Sequence, residues 1–231
     1  MKECDISKVD TIVDLFQIPA EQRDENWKQQ FYDAIIDSSF ACRDPQVFSG
    51  PDGFPYFALM TPQPETSFES YCVCNLVEAA TDQGFGIAIN PTENGADWVF
   101  TYGDLVTLRM FNSFEVPVEK RLNSHQTEIL EHDEQVLIGA PSEEFLPGYV
   151  RATLRRFLVD GVGLQDPQIL LMNRPHDGPG EQLVFSIYPE DFETEEIYNF
   201  VMGRITWFLP RHYPVVSVAK EARLDDHFQA L

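Results

Sequence analysis

The order of hydrophobic periodicities in the second half of the chain constrains its fold most tightly. Val136-Leu137-Ile138 is an apolar run of strand length. Pro147 stands where the first turn of a helix tolerates it, and Val150, Leu154, Phe157 and Leu158 then recur along one helical face until Gly161 and Gly163. Ile169-Leu170-Leu171-Met172 and Gln182 to Tyr188 read as two strands flanking the turn His176-Asp177-Gly178-Pro179-Gly180, and the two can pair as a hairpin. Thr194 can cap a second helix, with Glu195 and Glu196 at its positive end and Ile197, Val201, Ile205 and Phe208 along its inner stripe. Pro210 ends that helix, and Val215-Val216-Ser217-Val218 is a last strand. The order strand, helix, strand, strand, helix, strand predicts an α+β fold, with helices packed on a mostly antiparallel or mixed sheet.

The first half reads as a second α+β unit with a helical opening. Val13, Leu15, Phe16 and Ile18 precede Pro19, and Trp27, Phe31, Ala34, Ile35 and Phe40 follow helix-like spacing. Phe48 to Pro55 is a Gly/Pro-rich connection, followed by the strand Tyr56-Phe57-Ala58-Leu59-Met60. Phe68, Cys72, Leu76 and Ala80 recur every fourth residue, which predicts a helix capped by Thr66 or Ser67 and ended by Gly84. Phe85, Ile87 and Ile89 alternate up to Pro91, Asn94-Gly95 turns the chain, and Trp98-Val99-Phe100 is a further strand. Tyr102 to Phe111 fits either a short helix capped by Asp104 and bearing Leu105, Leu108 and Met110, or a continuing strand. Residues 112–134 are polar and lack periodicity, so a linker is expected there. The expected domains are 1–125 and 126–231 of the 231 residues.

Two stretches resemble a known family. One runs from Phe48-Ser49-Gly50 through Asp52-Gly53 and Tyr56-Phe57 to Gly86-Ile87-Ala88-Ile89-Asn90-Pro91. The other joins Leu146-Pro147, a helix, a Leu/Met strand, Leu183-Val184-Phe185, Leu209-Pro210 and Pro214-Val215-Val216. Together they resemble the bacterial enhanced-serine-sensitivity (SseB-type) family over roughly 48–110 and 135–218. The resemblance implies an N-terminal domain with an Asn-Pro strand end, a smaller C-terminal α+β domain and a bacterial cytoplasmic setting. It implies no reaction. The helical opening through residue 40 and the Trp98-to-Phe111 segment depart from the pattern.

Charge narrows the class of partner. The formal net charge is −22. A protein that neutralises phosphates needs a basic surface, so nucleic acid and anionic lipid headgroups are not expected partners. Between Arg43 and Arg109 there is no Lys, Arg or His, while Asp44, Asp52, Glu65, Glu69, Glu78, Asp82, Glu93, Asp97 and Asp104 contribute −9. Such a run is a solvated face, an adaptation to salt, or a docking face for a basic protein or peptide. No apolar run approaches the roughly 20 residues of a membrane span. The first residues, Met1-Lys2-Glu3-Cys4-Asp5, do not read as a signal peptide. A cytoplasmic location is expected, with Cys4, Cys42, Cys72 and Cys74 as reduced thiols.

No catalytic signature is present: no nucleophile elbow, phosphate-cradling glycine loop or dinucleotide fingerprint. Cys72-Val73-Cys74 is the most reactive-looking pair, yet Cys72 lies on the expected buried face and reads as a small hydrophobe. Cys4 and Cys42 make no second cluster, so neither zinc nor another cofactor is expected. His125, His132, His176, His212 and His227 are scattered. Trp98, Phe100, Tyr102 and Phe111 form the densest aromatic segment. It reads as core or, in part, as an interface anchor, since Trp and Tyr are favoured at hot spots. Trp98, Tyr102 and Asp104 are the candidate binding residues. The main expectation is a non-enzymatic protein-interaction or regulatory module. The alternative is a small-molecule enzyme whose site is assembled from dispersed carboxylates and histidines.

Overall fold

A computed structural model describes residues 2–116, 136–173, 180–218, 220 and 224–231. The chain divides into two compact units, 1–115 and 116–231. Each carries helices on a mixed sheet, which is the α+β architecture expected. The expected boundary at 125 and most of the polar 112–134 stretch lie outside the described residues, as do His125, His132 and the turn at 176–179.

In the first unit, α1 (Val9–Gln17) and α2 (Glu25–Ile35) form the helical opening. The Asp24 carboxylate accepts from the backbone N–H of Trp27 at 2.8 Å and so caps α2. Ile12 and Leu15 of α1 pack in one core with Trp27, Phe31, Ala34 and Ile35 of α2. The Trp27 indole N–H donates to the Leu15 carbonyl at 2.9 Å, so burial leaves that polar atom satisfied.

Next come β1 (Ala41–Ser49) and β2 (Pro55–Met60), which pair antiparallel. β1 occupies residues that carry no strand signal. Arg43, Asp44, Pro45 and Gln46 are exposed, and the register shifts between Cys42 and Val47 around a cis Asp44–Pro45 bond. An edge strand tolerates both features, because one row of its N–H groups has no ladder partner to lose. Pairing with β2 defines this strand, not its composition.

α3 (Val73–Gln83) crosses over to β3 (Gly86–Ile89), which lies parallel to β2. A parallel pair needs such a crossover. The helix begins about six residues later than the Thr66/Ser67 cap predicts. The Tyr71 and Phe40 backbones exchange hydrogen bonds at 2.8 and 2.9 Å, which keeps the chain extended up to Cys72, the N-cap. Gly84 ends α3 at φ 81°, donating to the Ala80 and Thr81 carbonyls, as the sequence indicates.

All four residues of β3 are buried. The small residues on one face follow from close approach. A Cβ on Gly86 would sit 2.6 Å from the Tyr56 ring and 2.7 Å from the Phe100 carbonyl oxygen. Gly86→Ala is therefore expected to cost about 1–3 kcal/mol by overpacking, read as a lower urea midpoint at unchanged slope. A wild-type midpoint would mean that the Tyr56 ring moves aside freely.

β4 (Trp98–Phe100) pairs antiparallel with β3 and completes the order β1-β2-β3-β4. α4 (Tyr102–Phe111) resolves the ambiguity at 102–111 in favour of a helix. Thr101, not Asp104, is its N-cap. The Thr101 hydroxyl accepts from the Asp104 N–H at 3.1 Å, and the Asp104 carboxylate accepts from the Thr101 N–H at 2.9 Å. This reciprocal pair satisfies two donors at once.

In the second unit, β5 (Leu137–Gly139), α5 (Gly148–Arg156), β6 (Gln168–Asn173), β7 (Glu181–Phe185), α6 (Glu195–Ile205) and β8 (Val215–Val216) follow in the expected order. β6 and β7 pair antiparallel as anticipated, and α6 carries the chain to β8, parallel to β7. Thr194 caps α6, accepting from the Ile197 N–H at 3.3 Å. A strand without sequence signal, β9 (Gln229–Ala230), pairs with the start of β6 while β5 pairs with its end. The expected inner stripe of α6 holds at Val201, Ile205 and Phe208, which are buried; at its start Tyr198 takes the inward place and Ile197 is exposed. The Tyr198 hydroxyl donates to that of Ser217, which holds this face inward.

Candidate functional site

The aromatic segment of the first unit is built into a ring cluster. Ile89 pairs with Trp98 and Ile87 with Phe100, which places both rings on the sheet face covered by α2. The Trp98 ring lies 4.7 Å from Phe31, 5.5 Å from Trp27 and 6.1 Å from Phe100. Its indole N–H is buried without an acceptor among the described residues. Tyr102 is fully buried, and Asp104 is buried with its carboxylate at the α4 cap. Of the three candidate binding residues, only Trp98 keeps partial exposure. The alternation of Trp98 and Phe100 was visible in the sequence, but which face a helix would cover was not.

The acids of the basic-free stretch are mostly surface groups. Arg109 pairs with Asp82 at 2.6 Å and with Glu78 at 3.7 Å, joining α3 to α4. The Asn90 amide donates to Asp97 at 2.7 Å while its oxygen accepts from the Thr61 N–H at 2.7 Å, so Asn90 clamps the ends of β2, β3 and β4.

A different patch has the chemistry of a docking surface. On α6, Phe200 is 60% exposed and Ile197 is 42% exposed. They lie three positions apart and therefore share a helical face. The Arg204 guanidinium stands 5.1 Å from the Phe200 ring. Glu190, Glu193, Glu195 and Glu196 are exposed just before the pair and in the first turn of α6. The sequence signal was present in Glu193-Thr194-Glu195-Glu196 followed by Ile197 and Phe200. Those residues predict a capped helix with Ile197 on its inner stripe, whereas the structure turns Ile197 outward beside Phe200.

The sulfurs form a second constellation and correct a sequence reading. Cys4 and Cys72 are joined by a disulfide, with Cα atoms 5.6 Å apart. The expectation of four reduced thiols does not hold, and the inference of a reducing compartment loses that premise. Spacing could not reveal a pair separated by 68 positions. It is made by the N-terminal segment lying against the start of α3. The Lys2 N–H donates to the Asn75 side-chain oxygen at 2.9 Å, and the Asn75 amide donates to the Lys2 carbonyl at 2.8 Å.

Cys42 and Cys74 are free and half-buried. Burial raises both thiol pKa values. Glu69 raises that of Cys42 further, whereas Lys2 partly opposes the rise at Cys74. Among the described residues, no group of three or more His, Cys, Asp or Glu side chains could hold a metal ion, and no helix is long and apolar enough to cross a membrane.

No family model matches the chain, and neither does any curated protein or solved structure.

Proposed function

We propose that this chain is a protein-interaction module whose partner presents an apolar side chain flanked by lysines or arginines. The observation that carries this reading is the exposed Ile197–Phe200 pair beside Glu193, Glu195 and Glu196. A large exposed aromatic group, with the Arg204 guanidinium over its ring and exposed acids in the turn before it, supplies both parts of a docking site. The ring provides the desolvated anchor, and the acids steer encounter and reject wrong partners. The net charge of −22 supports a cationic partner and opposes phosphate polymers. The resemblance to the enhanced-serine-sensitivity family adds architecture to this proposal and no reaction.

The test uses a fluorescent peptide with a central leucine between lysines, and the full chain. Phe200→Ala is expected to weaken binding by about 2 kcal/mol, roughly thirty-fold in Kd, mainly as faster dissociation. Glu195→Gln with Glu196→Gln should lower the on-rate and flatten its salt dependence. Phe200 is mostly exposed, so fold stability should not change. Equal affinity of wild type and Phe200→Ala, or equal binding of a lysine peptide lacking the leucine, would remove the patch as the docking site.

A further inference from the structure

Three sulfurs meet at the start of α3. Cys72 is bonded to Cys4 and fully buried. Cys74, in the first turn, is a free thiol whose Sγ lies 3.6 Å from Cys72 Sγ. The third group at this point is an amide donor. Asn75 Nδ2 stands 3.2 Å from Cys72 Sγ and 3.7 Å from Cys4 Sγ, so one N–H₂ group faces both sulfurs of the bond. A thiol in contact with a disulfide sulfur, beside a donor that can stabilise a departing thiolate, has the parts needed for exchange.

We propose that these residues form a thiol–disulfide exchange site in which Cys72 alternates between Cys4 and Cys74 as its partner. The Cys74 thiolate attacks Cys72 Sγ, the Cys72–Cys74 bond forms, and the Cys4–Cys72 bond breaks. Cys4 leaves as a thiolate with the electron pair of the broken bond and takes up the proton that Cys74 gave to solvent. Cys74 is oxidised from a thiol to a disulfide sulfur while Cys4 is reduced from a disulfide sulfur to a thiol, so the three sulfurs together keep their oxidation state and no external oxidant or reductant enters. The Asn75 amide faces the sulfur on which negative charge develops. The exchange releases the covalent tie between the N-terminal segment and α3 and turns Cys4 into a free thiol. That thiol can form a mixed disulfide with a small or protein disulfide, which makes the N-terminus the redox-responsive part of the first unit. The hydrogen bonds between Lys2 and Asn75 keep Cys4 near its old partner and make the step reversible.

The experiment uses the full chain carrying Cys42→Ser, oxidised in air and then freed of small thiols. Dilute iodoacetamide is added at neutral pH. The protein is quenched in acid at intervals and cleaved after glutamates. Cuts at Glu3, Glu21, Glu69 and Glu78 place Cys4 in one fragment and Cys72 with Cys74 in another. With no reductant present, Cys4 can be alkylated only after exchange. The expected product carries label on Cys4 and an internal Cys72–Cys74 bond, beside protein labelled directly on Cys74. In Cys74→Ser, labelling of Cys4 should fall by more than about tenfold. Exchange within one molecule also predicts that the Cys4 share is independent of protein concentration. Label confined to Cys74 with Cys4–Cys72 intact would overturn the proposal, as would three free thiols in the starting protein. Cys4 joined to Cys74 would overturn Cys72 as the shared sulfur. If Cys74→Ser does not fold, the pairing map of the Cys42→Ser protein decides alone.

Discussion

Cys4→Ser is expected to lower the stability of the first unit by about 4 kcal/mol. The disulfide closes a loop between residues 68 positions apart, and cross-linking a loop of that length removes about that much chain entropy from the unfolded state. Cys4 is the better position to change. Cys72 is fully buried, and a serine there would also bury a hydroxyl. The measurement is urea unfolding of oxidised wild type, reduced wild type and Cys4→Ser under reducing conditions. The latter two should coincide, several kcal/mol below the first. If all three coincide, the bond restricts little in the unfolded chain, and the hydrogen bonds of the N-terminal segment to Asn75, Asp37 and Ser39 hold it without the bond's help.

Trp98→Ala is expected to cost about 3 kcal/mol of fold stability, toward the low end for aromatic-to-alanine changes because the ring keeps partial exposure. The loss comes from contacts with Phe31, Trp27 and Phe100. Trp98→Phe separates two contributions. It removes some apolar area but also removes a buried indole N–H that has no acceptor among the described residues, whose desolvation costs about 1–3 kcal/mol. The phenylalanine variant should therefore sit much closer to wild type than to alanine. Binding of the lysine–leucine peptide should be unchanged in Trp98→Phe. If Trp98→Ala leaves the unfolding midpoint alone and abolishes peptide binding, the aromatic segment is the docking surface and the α6 patch is not.

Elements defined by short-range chemistry were legible. Gly84 in the left-handed conformation and Thr194 at the start of α6 depend on residues within a few positions of one another, and the antiparallel β6–β7 pair joins consecutive strands. The order of elements in the second unit followed from periodicity, and with it the α+β class. The candidate docking patch was half legible. Its acids stand in plain view beside the Thr194 cap, but either Ile197 or Tyr198 could continue the stripe of Val201 and Ile205, and the surface that α6 packs on decides which turns inward.

The residues alone determined composition, charge, the Gly84 end of α3, the Thr194 cap and the order of elements from β5 to β8, because these are local or additive properties of the chain. Tertiary contact decided the rest. Pairing with β2 made a strand of the polar, proline-bearing 41–49. The Phe40–Tyr71 bridge delayed α3, and the rings of α2 enclosed Trp98. Contact across 68 positions also joined Cys4 to Cys72 and left Cys74 beside them. In each case the deciding partner lies far away in sequence, and a local pattern carries no record of which distant surface will cover it.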